Sequence, residues 1–272
     1  MEYGKNQDGI GKKELLAVSF GTSYRENMAL TIEVVEEELA RAFSDYDLRR
    51  AFTSPTILRV LKERDGLWID SVEEALERAV QNGVEKLVIQ PTHLMHGLEY
   101  QGLMRMIETY RSRIPEIVVG EPLFASMEDI WETLEAVLED TKEYNTPDTA
   151  VCLMGHGTTD RANAVYEVCQ RLLKENGYDR YFIGTVEADP TLDQVVQKVE
   201  KGNYRRVVLQ PFMLVAGDHA NQDMAGMGKN SWKSTFEAEG YEVVCRIRGL
   251  GELPGVRRIY VRHAKEAARA IL

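Results

Sequence analysis

The feature that most constrains this chain is an alternation repeated twice along its length. Short apolar runs, each ended by Gly, Pro or a polar turn, are followed by segments with apolar residues at helical spacing. Glu14–Phe20 is such a run, closed by Gly21. Ile32, Val35, Leu39 and Phe43 then mark one helical face, with Glu33, Glu36, Glu37 and Glu38 mostly on the other. A strand feeding an amphipathic helix opens a βαβ unit, and parallel strands of this kind are buried on both faces.

The pattern continues with strands expected at 48–52, 85–90 and 116–120. A capping-box sequence at Ser71–Glu74 opens a helix, and Ser126 caps another that carries Ile130, Leu134, Val137 and Leu138. A polar stretch at 142–148 is the natural boundary. Beyond it the same grammar restarts, with strands expected at 150–154, 181–186, 206–210 and 242–247 and helices at 164–174 and from Asp189-Pro190 onward, Asp189 being read as the N-cap. Words repeat as well as grammar. Ser19-Phe20-Gly21-Thr22-Ser23 aligns with Gly155-His156-Gly157-Thr158-Thr159, and Leu87–Pro91 aligns with Val207–Pro211. The expected fold is therefore α/β, a tandem duplication of one mostly parallel sheet flanked by helices. The domains expected are 12–145 and 146–272, the last helix being free to pack back on the first, with a cleft between them. About ten residues at the start read as frayed.

Composition narrows function. The chain has 272 residues, with Lys plus Arg 33 against Asp plus Glu 44, for a net charge of −11. That lacks the basic footprint of nucleic-acid binding. No apolar run is long enough for a membrane span, and the polar opening is no secretory signal. Cys152, Cys169 and Cys245 form no C-x-x-C pair and read as reduced thiols of a cytoplasmic protein.

In open α/β sheets ligands bind beyond the carboxyl ends of strands. Three successive strand ends of the second half offer His156, Glu187 and His219 to one rim. Two imidazoles and a carboxylate suit a borderline divalent ion such as Co²⁺, Ni²⁺, Fe²⁺ or Zn²⁺, and the same groups accept protons. Each residue singly has a plainer reading, as a hydrogen-bonded loop residue or an acid at a helix N-terminus. In the first half the equivalents of His156 and His219 are Phe20 and Glu99, so the cluster is not duplicated. His93 and His96 follow a strand there, and His93 is favoured for substrate. The Gly-Thr-Ser and Gly-Thr-Thr turns offer backbone N–H groups to anions but lack a nucleotide-binding pattern. Arg25, Arg49, Arg50 and Arg161 are candidate partners for carboxylates, and equally ordinary surface residues.

The words at 18–24, 50–54, 154–157, 214–220, 231–233 and 249–252 resemble the anaerobic sirohydrochlorin cobaltochelatases of the class II chelatase family. The resemblance covers nearly the whole chain after residue 12. It implies ATP-independent insertion of Co²⁺ into sirohydrochlorin for cobalamin biosynthesis, a lyase-type tetrapyrrole reaction with no organic cofactor and the metal as substrate. It places the metal on His156, Glu187 and His219, with His156 and Glu187 catalytic and His156 also the base for pyrrole protons. Phe20, Gly21, Thr22, Ser23, His93 and Glu99 become the substrate-binding expectation, His93–Glu99 keeping the family's His-x-x-x-Gly-x-Glu word, while His96 departs from it. Partners expected are the tetrapyrrole and the ion, with no nucleic acid or membrane and self-association left open. Insertion of Fe²⁺ or Ni²⁺ by the same fold, and a non-catalytic metal or tetrapyrrole carrier, are the alternatives.

Overall fold

The computed structural model describes residues 11–271, so the expected frayed start lies outside the described residues. The chain divides into two compact units, each with its own sheet and core. Unit 1 takes the described residues up to Ala125 together with those from Val256 on, and unit 2 takes Ser126–Gly255.

Unit 1 is a five-stranded parallel sheet with strands β1 (Lys13–Ser19), β2 (Asp47–Phe52), β3 (Asp70–Ser71), β4 (Lys86–Pro91) and β5 (Glu116–Val119), in the order β3-β2-β1-β4-β5. Helices α1 (Arg25–Met28), α2 (Val34–Ala42), α3 (Pro55–Asp65), α4 (Val72–Gln81) and α5 (Leu98–Glu108) connect the strands. A π-helical turn, Ala29–Glu33, joins α1 to α2. The capping box at α4 is present as expected, with the Ser71 hydroxyl accepting from Glu74 N and the Glu74 carboxylate accepting from Ser71 N. Leu16, Val18, Leu87 and Ile89 from adjacent strands pack with Leu76, Leu103 and Ile107 in one buried cluster.

Arg49 and Arg50, candidates for binding an external carboxylate, are consumed inside the unit. Successive strand residues face opposite sides of a sheet, so each is buried against its own acids. Arg49 meets Asp70 at 2.6 Å and Glu14 at 3.4 Å, and Arg50 meets Glu36 at 2.5 Å. Arg25 and Arg161 are exposed.

Unit 2 begins with α6 (Met127–Asp140) and holds β6 (Thr149–Gly155), α7 (Val165–Glu175), β7 (Tyr181–Thr185), α8 (Leu192–Val199), β8 (Arg206–Pro211), α9 (Trp232–Ala238) and β9 (Glu242–Cys245). Its four strands are parallel in the order β7-β6-β8-β9. This matches the β2-β1-β4-β5 part of unit 1, the repeat seen in the sequence words. Each sheet puts its first strand inside, with the next strand in sequence on one side (β2 or β7) and a later one on the other (β4 or β8), which creates a switch point beside that first strand.

The division at Ala125/Ser126 precedes the expected boundary near 145, and the reason is visible in α6. Its apolar residues Ile130, Leu134, Val137 and Leu138 are buried. Its last residue, Asp140, is held by Arg246 at 2.8 Å and Arg248 at 2.5 Å, both of unit 2. The following Thr141 shares a hydrogen bond of 2.8 Å with the Tyr181 hydroxyl on β7. α10 (Pro254–Ala268) falls in unit 1 from Val256 on. There the Tyr260 hydroxyl donates to Thr92 O at 2.8 Å, and Arg257 pairs with Glu38 at 2.5 Å.

Asp189 is not the N-cap of α8. The cap is Thr191, whose hydroxyl accepts from Gln194 N while the Gln194 side chain accepts from Thr191 N. The Asp189-Pro190 peptide is cis, and Pro190 O accepts from Thr185 N. Cys152 and Cys169 are buried and their thiols are pushed up by burial; Cys245 is half-buried. Among the described residues no helix is long and apolar enough to cross a membrane.

Candidate metal centre

The centre lies wholly in unit 2, on the loops leaving β6, β7 and β8. β6 ends at Gly155, and His156 is the next residue. Gly157 adopts φ of +88°, where a Cβ would sit 2.9 Å from Ala188 N and from the Thr185 side chain. Only glycine allows the turn to pass this close to the loop after β7. The two loops are then tied by backbone, with Glu187 N donating to His156 O at 2.9 Å. In this way the glycine fixes the spacing of His156 and Glu187.

One donor atom from each of His156, Glu187 and His219 lies within 4.8 Å of the others. His156 Nδ1 is 3.7 Å from Glu187 Oε2, and the two imidazole rings stand edge to face with centroids 4.6 Å apart. All three side chains reach solvent in part.

The tautomers follow from the partners. His156 Nδ1 is 2.9 Å from Gly157 O, a carbonyl that can only accept, so Nδ1 carries hydrogen toward it. His219 Nδ1 is 2.6 Å from Asp223 Oδ2, one turn on in the π-helical segment Ala220–Met224. Both rings therefore leave Nε2 as the lone-pair atom. An acceptor that holds the far ring nitrogen of a ligating imidazole, and so orients it, is a recurrent feature of metal sites. Asp223 is the residue that reading of the sequence passed over; its signal was the His-x-x-x-Asp spacing starting at His219.

The other expected site residues sit at the equivalent edge of unit 1. Phe20 directly follows β1 and is 47% exposed, a large ring facing solvent. Gly21 has φ of +99°, and a Cβ there would meet the Phe52 ring at 2.6 Å, the counterpart of the Gly157 turn. Thr22 is buried, and its hydroxyl accepts from Tyr24 N at 3.2 Å, so its side chain serves the turn. Ser23 O accepts from Arg64 Nη2.

His93 follows β4, beside β1, where Thr92 N donates to Val18 O. Both His93 ring nitrogens are shielded from solvent without a hydrogen-bond partner, and burial pushes its pKa down to about 4. It is a neutral imidazole. His96 instead pairs with Glu121 at 2.7 Å. Glu99 is exposed in the first turn of α5, where a negative charge also suits the helix dipole.

Two parallel α/β repeats, one carrying a His/Glu/His donor set at its strand ends, define a metal-handling protein of chelatase architecture. The fold of SirB from Bacillus subtilis, solved with Fe3+, superposes with a TM-score of 0.66 at 17% identity over 96% of this chain and 98% of that one. The chain belongs to the cobalt chelatase (CbiK) family, whose model matches residues 13–269. It is 35% identical over 256 residues to a sirohydrochlorin cobaltochelatase of Salmonella typhimurium, covering 94% of this chain and 96% of that protein. It is 32% identical over 262 residues to the sirohydrochlorin cobaltochelatase CbiKC of Nitratidesulfovibrio vulgaris, covering 96% and 92%.

Proposed function

We propose that this chain inserts Co²⁺ into sirohydrochlorin without nucleotide hydrolysis. The observation that carries this is the convergence of His156, Glu187 and His219 donor atoms within 4.8 Å in a cobalt chelatase family member. On this reading the ion enters as a substrate, taken by His156 Nε2, His219 Nε2 and a Glu187 oxygen. Three protein ligands leave coordination positions for incoming pyrrole nitrogens. Transfer is a ligand exchange from imidazole and carboxylate to the four ring nitrogens, with loss of two pyrrole protons. His156 takes up a proton as its nitrogen releases the metal, and Glu187 shares that role.

The macrocycle contacts are assigned to unit 1. Phe20 offers an exposed ring to an apolar face, and the turn Gly21-Thr22-Ser23 contributes through its backbone. Neutral His93 and exposed Glu99 complete the set. The donor set does not select among borderline divalent ions, so preference for Co²⁺ over Fe²⁺ or Ni²⁺ rests on family membership. A cytoplasmic biosynthetic enzyme, with the tetrapyrrole and the ion as its partners, is the setting that fits this chemistry.

The test is an anaerobic absorbance assay with sirohydrochlorin in excess and Co²⁺, Fe²⁺ or Ni²⁺ supplied separately. Repeated turnover, fastest with Co²⁺, is expected. A change that stops at one equivalent per chain would make the protein a carrier. His156→Ala should abolish turnover with the melting temperature kept. Asp223→Asn should weaken Co²⁺ binding about 10–100-fold, the usual cost of losing an outer partner of a ligating histidine.

A further inference from the structure

A second candidate binding site lies in unit 1 and shares no residue with the metal centre. Arg258, Arg262 and Lys265 of α10, and Arg269 just past its end, whose N–H still donates to Lys265 O, recur at spacings of four, three and four, which keeps them on one helical face. At 1.5 Å per residue this basic stripe runs for about 16 Å. The opposite face of α10, with Val256, Ile259, Tyr260 and Ala264, is buried in the unit. The stripe borders an open groove of about 690 Å³, and Arg41 of α2 lines the same groove. Two carboxylates line it as well, Glu38 and Glu266, and Glu38 is engaged by Arg257. Among the described residues Arg258, Lys265 and Arg269 have no ion-pair partner.

Helix stability does not account for the whole stripe. Cations near a helix C-terminus are favourable, which covers Lys265 and Arg269. Arg41 also stands in a last turn, that of α2, but Arg258, the fifth residue of α10, and Arg262 lie outside the terminal turns, where the dipole supplies no reason for a positive charge. In a chain of net charge −11, the groove gathers five cationic side chains against two carboxylates, a local surplus suited to an anionic ligand. Guanidinium forks match carboxylates in geometry. Ala42 and Val261, with the aliphatic stems of the arginines, give the groove an apolar lining between the charges. Among the described residues no aromatic side chain lines it, so base stacking of the kind single-stranded nucleic acids use finds no platform there. A single small anion would engage only part of a stripe this long.

We propose that the α2–α10 groove binds an organic polycarboxylate, a molecule with several carboxylates around an apolar frame. Tetrapyrroles bearing carboxylate side chains belong to this class. That the enzyme's own substrate or product is the occupant rests on the chelatase reading; the ligand class does not. The groove then acts as a holding site apart from the metal centre.

The experiment is hydrogen–deuterium exchange on the full chain with uroporphyrin, a porphyrin octacarboxylate, alongside equilibrium dialysis. Uroporphyrin is expected to slow exchange in α2 and α10. Arg258→Glu with Arg269→Glu should remove that protection and weaken this class of binding about tenfold or more. Arg258→Lys with Arg269→Lys should keep most of it. Chelatase turnover at saturating sirohydrochlorin should be unchanged in the Glu variant, so failure of the groove and failure of the chelatase reading are separable. Absence of protection in α10, or undiminished binding by the Glu variant, would overturn the proposal. Stronger protection of α10 by an oligoglutamate peptide would also overturn it, making the groove a protein-docking surface.

Discussion

At the scale of a single residue, His93 carries a distinct pH signature. Its ring nitrogens are shielded and unpartnered, and its pKa falls from 6.5 to about 4 because burial disfavours the imidazolium. The folded state therefore binds fewer protons than the unfolded state between these values. Stability from this group is complete above about pH 6.5 and declines as pH falls toward 4, by on the order of 3 kcal/mol at most. His93→Leu should flatten that part of the stability curve in urea titrations. An unchanged slope between pH 4 and 6.5 would place the acid sensitivity elsewhere. The same neutrality bears on the proposed reaction, since an uncharged imidazole neither repels an incoming cation nor attracts a carboxylate.

At the scale of elements, the two glycine turns are the parts with least freedom. Gly157 holds the loops after β6 and β7 together, so Gly157→Ala should cost about 1–3 kcal/mol through strain at positive φ. It should also weaken Co²⁺ binding, because His156 and Glu187 lose their spacing. Gly102→Ala, in the interior of α5 with its nearest neighbour at 3.9 Å, should be neutral or stabilising by up to about 1 kcal/mol. Equal melting temperatures for the two variants would refute the role of the turn. Eight of the nine strands described were legible in the sequence because most are continuous apolar words ended by Gly or Pro, whereas the two-residue β3 (Asp70–Ser71) is too short to leave such a word; His156, Glu187 and His219 stood out because each follows one. α3 and α5 were not foreseen: α3 starts on a short Ser54-Pro55 signal, and α5 opens after Gly97 with no side-chain cap and contains Gly102. At α8 a cap-like Asp-Pro pair misdirected the reading, because the Thr191–Gln194 box two residues on satisfies the helix's N–H groups better. Asp223 escaped because its partnership with His219 exists only once a turn of helix brings the two together.

Across the whole molecule, sequence order and spatial grouping part company at α10. Ile259 is buried in unit 1 although unit 2 separates it in sequence from the rest of that unit. Ile259→Ala should cost about 2–5 kcal/mol, as large-to-small changes in a core do. Amide exchange should quicken in β1 and β4 while β6 and β8 keep their protection. Uniform loss across both sheets would mean that the units unfold as one cooperative body. The polar stretch at 142–148 is a boundary in composition, while Asp140 and Thr141 just before it pair with Arg246, Arg248 and Tyr181 of unit 2, and such pairs have no signature in linear sequence.

This grouping bears on how the protein is made. During synthesis unit 2 is contiguous, so all of its strands and helices leave the ribosome before α10 does. Unit 1 emerges first yet lacks the helix that covers Thr92 and pairs with Glu38 until the later unit has been translated. The half that carries His156, Glu187 and His219 can thus mature while the earlier half is still waiting for its last helix. A released chain ending just short of Val256 would be expected to fold its second sheet while its first remains unsealed.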